Sequence, residues 1–74
     1  MRPEDVKVYL DQRPFHPFRM HLSNGVFCDI RQPELVSVSR SGITIGQALE
    51  GDRQRFAVIA LVHVVWIEVL VPAP

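Results

Sequence analysis

Between Phe18 and Arg31 apolar and polar residues alternate with a period of two. Phe18, Met20 and Leu22 are interleaved with Arg19 and His21, and after Ser23-Asn24-Gly25 come Val26, Cys28 and Ile30 against Phe27, Asp29 and Arg31. This is the pattern of two strands that each bury one face. The turn decides their register. A two-residue Asn-Gly turn would pair Leu22 with Phe27 and throw the two apolar sets onto opposite faces. A three-residue loop with Gly25 in the left-handed bulge position pairs Leu22 with Val26, Met20 with Cys28 and Phe18 with Ile30. The sequence therefore predicts the three-residue loop, which also sets Arg19 across from Asp29 on the outer face, an attractive pairing.

Upstream of the hairpin the period lengthens. Val6, Tyr9 and Leu10 recur at helical spacing, Pro3 suits a first helical turn, Glu4 and Asp5 complement the positive end of the helix dipole, and Pro14 stops the pattern. A helix within residues 1–13 is too short to persist unless its apolar stripe docks on something. Pro14-Phe15-His16-Pro17 reads as an extended connector, because a residue before proline is pushed away from helical geometry.

Downstream, Pro33 marks a bend or an edge. Leu35, Val36 and Val38, then Ser39-Arg40-Ser41-Gly42, then Ile43 and Ile45 predict a second hairpin, and residues 46–55, polar and holding Gly46, Gly51 and Asp52, predict a mobile loop. Residues 56–60 and 64–71 are rich in β-branched side chains and are separated by Leu61-Val62-His63. The last run is apolar on both faces, with Val64, Trp66 and Leu70 on one side and Val65, Ile67, Val69 and Val71 on the other. A strand with one face in water alternates more cleanly. Its second face is thus expected to be covered by the leading helix or by a neighbouring molecule, a buried helix being the competing reading. Pro72-Ala73-Pro74 reads as a frayed tail.

A short helix followed by five strands, with a glycine-bearing first hairpin and a very tight link before the last strand, resembles the Sm-like small β-barrel. The resemblance rests most on Phe18-Arg19-Met20-His21-Leu22-Ser23-Asn24-Gly25, similar to the opening strand and turn of that family, and on residues 59–67, similar to its second motif. It implies a single domain over residues 1–74 of mostly β (α+β) class: helix in 1–13, strands over 18–71, and a five-stranded, strongly bent antiparallel sheet or a small Sm/SH3-like barrel. It also implies rings in which the last two strands of neighbouring subunits pair edge to edge, and contact with single-stranded RNA through His63 and Arg40. Where the RNA-binding members carry an acidic residue and an asparagine, this chain has Ser39-Arg40-Ser41-Gly42. The chain is also similar to a group of short uncharacterised bacterial proteins in Pro14-Phe15, Phe18-Arg19, Arg31, Pro33-Glu34 and a late His-hydrophobic-hydrophobic step.

Charge and size narrow the functional classes. Eight basic and eight acidic side chains cancel, which removes the electrostatic footprint that collects proteins on nucleic acid or anionic lipid. A chain of 74 residues hides only about 60% of its unfolded surface, so its core is thin and self-association would help it. The single Cys28 fits a reducing compartment, and Met1-Arg2-Pro3-Glu4-Asp5 lacks the apolar stretch of a secretory signal, so the cytoplasm is expected. The apolar run at 56–71 is shorter than the roughly 20 residues of a spanning helix and contains His63 and Glu68, so no membrane is implied.

Candidate chemistry is sparse. On the predicted register Cys28 faces the core while His21 faces out, so no Cys-His pair forms. His16, His21, His63 and Cys28 lack metal-ligand spacing, and no phosphate-cradling glycine loop is present. Arg13, Arg19, Arg31 and Arg40, with Phe15 and Phe27 as stacking platforms, form a conceivable phosphate stripe, but Arg19 has Asp29 and Arg31 has Glu34 to neutralise it. No catalytic residue, cofactor, metal or small-molecule ligand is predicted. The expected function is a non-enzymatic, self-associating binding or scaffolding module, its subunit interface formed by Val65, Trp66, Ile67 and Val69, with an RNA-binding ring as the alternative.

Overall fold

The first hairpin forms as the pattern requires. In the computed structural model, which describes residues 1–48 and 50–71, strands β1 (Phe18–Leu22) and β2 (Phe27–Ile30) pair Phe18 with Ile30, Arg19 with Asp29 and Met20 with Cys28. The Leu22 amide donates to the Val26 carbonyl at 2.8 Å, and Gly25 takes a φ of 84°, the left-handed region that its missing Cβ makes accessible. Helix α1 (Pro3–Leu10) precedes it, with Pro3 in its first turn and the Asp5 carboxylate accepting from the Arg2 amide at 3.2 Å. Its stripe docks: Val6 and Leu10 are buried, and the Tyr9 ring lies 5.8 Å from that of Phe18.

The remaining strands are β3 (Val36–Val38), β4 (Gly42–Ala48), β5 (Gln54–Ala60) and β6 (Val64–Val69), with 3-10 turns at Pro33–Leu35 and Leu61–His63. They make two antiparallel three-stranded sheets, ordered β2-β1-β6 and β3-β4-β5. Three expectations are corrected here. Six strands are present rather than five, because the turn that begins at Pro33, which has no amide to donate, ends β2 and starts β3 in the other sheet. The six do not close into one barrel among the described residues. The expected loop at 46–55 is also smaller: β4 and β5 stay paired as far as Gln47 with Arg55 and Ala48 with Gln54. The tail at 72–74 lies outside the described residues.

The last segment is extended. Along β6, Phe18 faces Val69, Arg19 faces Glu68, Met20 faces Ile67 and His21 faces Trp66, but Leu22 faces Val64. Val65 is therefore an extra residue, a bulge that reverses the alternation behind it. Val64 points into the core and Trp66 out of it, so the two do not share a side as a regular strand would require.

One apolar cluster lies between the sheets and α1. Phe18, Met20 and Ile30 from one sheet, Ile43 and Ile45 from the other, and Leu61 and Val64 from the last link are buried together with Val6 and Leu10. The link itself is held at both ends: the Leu61 amide donates to Ser41 O at 2.9 Å and the Ser23 amide to His63 O at 2.8 Å. No helix among the described residues is long and apolar enough to cross a membrane.

This packing sets a stability scale. Met20→Ala should cost about 2–5 kcal/mol and Ile43→Val about 0.5–1.5 kcal/mol, since each removes buried methyl or methylene groups. Lys7→Ala on the exposed helix face should stay within about 0.5 kcal/mol. Urea unfolding followed by circular dichroism measures all three, and equal losses would refute the assigned core.

Candidate functional site

Because β1 turns Phe18 and Met20 inward, it turns Arg19 and His21 outward. Its neighbours add Phe27 and Asp29 from β2, and Trp66 and Glu68 from β6. These six side chains form one layer on the outer face of the sheet. Arg19 donates through Nε to Asp29 Oδ1 at 2.6 Å and through Nη2 to Oδ2 at 3.1 Å, and its guanidinium carbon sits 4.0 Å from the centre of the Phe27 ring. The fork satisfies both carboxylate oxygens while the ring receives the flat cation. Next to it the His21 ring stacks on Trp66, with centroids 3.7 Å apart and planes 2° from parallel, and its Nε2 lies 3.0 Å from Glu68 Oε1.

The hydrogen bond from Arg19 holds the Asp29 carboxyl below its ordinary value of 3.8; burial opposes it, and the charges of Arg19 and Arg31 add to the lowering. The same bond raises Arg19. Arg31 turns to Asp29 at 3.6 Å, where the sequence suggests Glu34 as its partner. The arginine stripe does not assemble as a phosphate site: Arg13 folds back onto the carbonyls of Leu10 and Gln12, and Phe15 packs edge-on against Phe18. Burial pushes the half-buried Cys28 thiol up, which disfavours the thiolate that nucleophilic chemistry needs. Among the described residues no three His, Cys, Asp or Glu side chains converge on a point that would suit a metal ion.

The two residues expected to touch RNA are not brought into one site. His63 accepts or donates a hydrogen bond at Nδ1 with Ser23 Oγ, 3.0 Å away, and lines a cleft of about 300 Å³ with Leu22, Asn24 and Val58. Arg40 lines a separate cleft with Arg2, Asp5 and Val62. His63 thus fastens the 3-10 link to the first hairpin.

The four expected interface residues all lie on β6, but differ in exposure. Val65 is 59% exposed, Trp66 50% and Val69 39%, whereas Ile67 packs against the core. Val65, Trp66 and Ile67 line a shallow cleft with Val8 and Tyr9 of α1, so the helix shields part of this strand. Among the described residues β6 has β1 on one side and no strand on the other, and β5 is likewise paired only with β4. The residues of β5 were not singled out by sequence, although Phe56 and Val58 are 67% and 75% exposed. The signal was present as the alternation of Phe56, Val58 and Ala60 with Ala57 and Ile59. Phe56 faces Gly46 across the ladder, and a Cβ at Gly46 would stand 3.3 Å from Phe56 Cε1, so the glycine leaves room for the ring.

No family model, curated protein or solved structure matches the chain. The site is a half-exposed layer of rings and paired polar groups on the outer face of the β2-β1-β6 sheet, with β6 at its margin.

The depressed Asp29 carboxyl contributes stability above the unfolded value of 3.8, and that contribution is lost as pH falls through the lower folded value. Wild type should exceed Asp29→Asn in stability at neutral pH, with the margin shrinking below pH 3.8. Thermal unfolding of both proteins across that range tests it, and a margin that stays constant into acid would contradict the assignment.

Proposed function

We propose that this protein is a non-enzymatic, self-associating β module that serves as a binding or scaffolding element in the cytoplasm. The observation that carries the reading is that two of the strand edges left open among the described residues, β5 and β6, each bear large apolar side chains in solvent: Phe56 and Val58 on one, Val65 and Trp66 on the other. Unpaired edges of this kind are a template for pairing with another chain, and natural monomers blunt them with charge or proline. β5 has Arg55 at one end, but its middle is bare of charge.

Two different edges on one protomer favour a head-to-tail contact, β6 of one copy against β5 of the next, which generates a ring when the rotation closes. The two bent sheets, joined through a one-turn link, suit a small open Sm-like barrel, and the resemblance in pattern points to the same edges. Such pairing would extend β2-β1-β6 with β5-β4-β3 of a second copy and bring Phe56 beside Trp66. The zero net charge and the separation of His63 from Arg40 leave the RNA-binding alternative without a supporting observation.

Sedimentation equilibrium tests the proposal. The wild-type chain should have a mass that is a multiple of its 8.4 kDa protomer. Val58→Lys and Val65→Lys, both at exposed edge positions, should lower that mass while leaving the far-ultraviolet circular dichroism unchanged. A wild-type monomer at high concentration would remove the proposal's support, as would an oligomer that neither substitution affects.

A further inference from the structure

β2 and the outer half of β4 are each paired on one side only. The bond from the Leu22 amide to the Val26 carbonyl fixes the phase of the first hairpin. In an antiparallel ladder of that phase Cys28 and Ile30 exchange bonds with β1, and Phe27 and Asp29 turn their N–H and C=O groups away from it. Among the described residues β1 is the sole strand beside β2. On the opposite bank β4 loses β3 after Ile45 and runs on through Gly46 and Gln47 with β5 alone beside it.

Both banks, residues 29–32 and 45–47, line a single open cleft of about 440 Å³, walled at one end by Leu35 and Val36. Ile30 and Ile45 give it an apolar floor. Arg31 stands at its rim with 66% of its side chain in solvent and, among the described residues, only the 3.6 Å approach to Asp29 on its guanidinium. That leaves most of its five donors free.

We infer that this cleft takes up an extended segment of a partner polypeptide, added as a strand to the open side of β2, with apolar residues at alternate positions and a carboxylate beside Arg31. Unpaired main-chain donors and acceptors are satisfied by an extended chain, which draws affinity from backbone bonds and selectivity from alternate side-chain pockets. The apolar floor selects the inward positions. The forked guanidinium of Arg31 matches a carboxylate of the incoming segment. The inference rests on the binding half of the function proposed above and uses a surface other than the β5 and β6 edges, so it can fail while self-association stands.

The test is fluorescence anisotropy with three labelled synthetic nonapeptides of alternating valine and threonine: one with a central glutamate, one with a central lysine, and the glutamate peptide N-methylated at alternate residues. The glutamate peptide should bind the wild-type chain about tenfold or more tightly than either control, and Arg31→Glu should reverse the charge preference. Amide hydrogen exchange at Phe27 and Asp29 should slow in the complex, a readout independent of the variant's folding. No binding at millimolar peptide, equal binding of the N-methylated peptide, or an unchanged preference in Arg31→Glu overturns the inference. Protection of Phe27 and Asp29 without peptide that vanishes on dilution also overturns it, by assigning the cleft to a second copy. Solution mass recorded on the same samples reports self-association separately.

Discussion

The three residues Leu61–His63 hold this small fold together. They carry the chain from one sheet to the other in a single 3-10 turn, and each end of that turn is bonded to the tip of a different hairpin, Ser41 on one side and Ser23 on the other. Leu61 fills the space between the sheets from the first position of the same turn. Apart from this clamp the two sheets share the short turn at Pro33–Leu35 and side-chain packing, and a core of nine buried residues among the described ones is little to rely on. His63 belongs to this clamp through Ser23, which gives its position in the sequence a structural purpose.

From that constraint follows the division of the β2-β1-β6 sheet into two unlike faces. Its inner face is apolar and closed by α1 and the second sheet. Its outer face is a layer of cations, carboxylates and rings that satisfy one another in pairs, Arg19 with Asp29 over Phe27 and His21 with Glu68 over Trp66. Such a layer stiffens the sheet and carries no excess of positive charge to attract a polyanion. What it leaves open is its margins, where among the described residues β2 and β6 each expose an unpaired edge, as β5 does in the other sheet. The binding proposed for this protein therefore uses strand edges and the apolar side chains beside them.

Much of this was legible in the chain. The register of the first hairpin followed from one glycine and the side on which the apolar residues fall, because a shift of one residue would have turned Phe18, Met20 and Leu22 to water. The helix stripe and the tight link were equally plain. The outer pairings involving β6 were not, because Val65 is a bulge and a bulge leaves no mark in a run of valines and isoleucines. A regular alternation put Val64 with Trp66, whereas the extra residue sends them to opposite faces and thereby brings Glu68 to His21. The loop at 46–55 was overdrawn for a related reason: polar composition hid strands whose outward side chains are polar, as in Gln47 and Arg55, which hydrogen-bond across the ladder at 2.6 Å. The cleft between β2 and β4 was beyond sequence reading altogether, since it arises from where two ladders stop.

The glycine opposite Phe56 bears on how a partner would be met. A bulky aromatic on an open strand ordinarily samples several rotamers, and docking must freeze them at an entropic cost. With no Cβ at Gly46, the ring can settle against the neighbouring backbone before any partner arrives. The exposed surface of β5 is to that extent preorganised, and the free energy of contact is not spent on arresting the side chain that makes it.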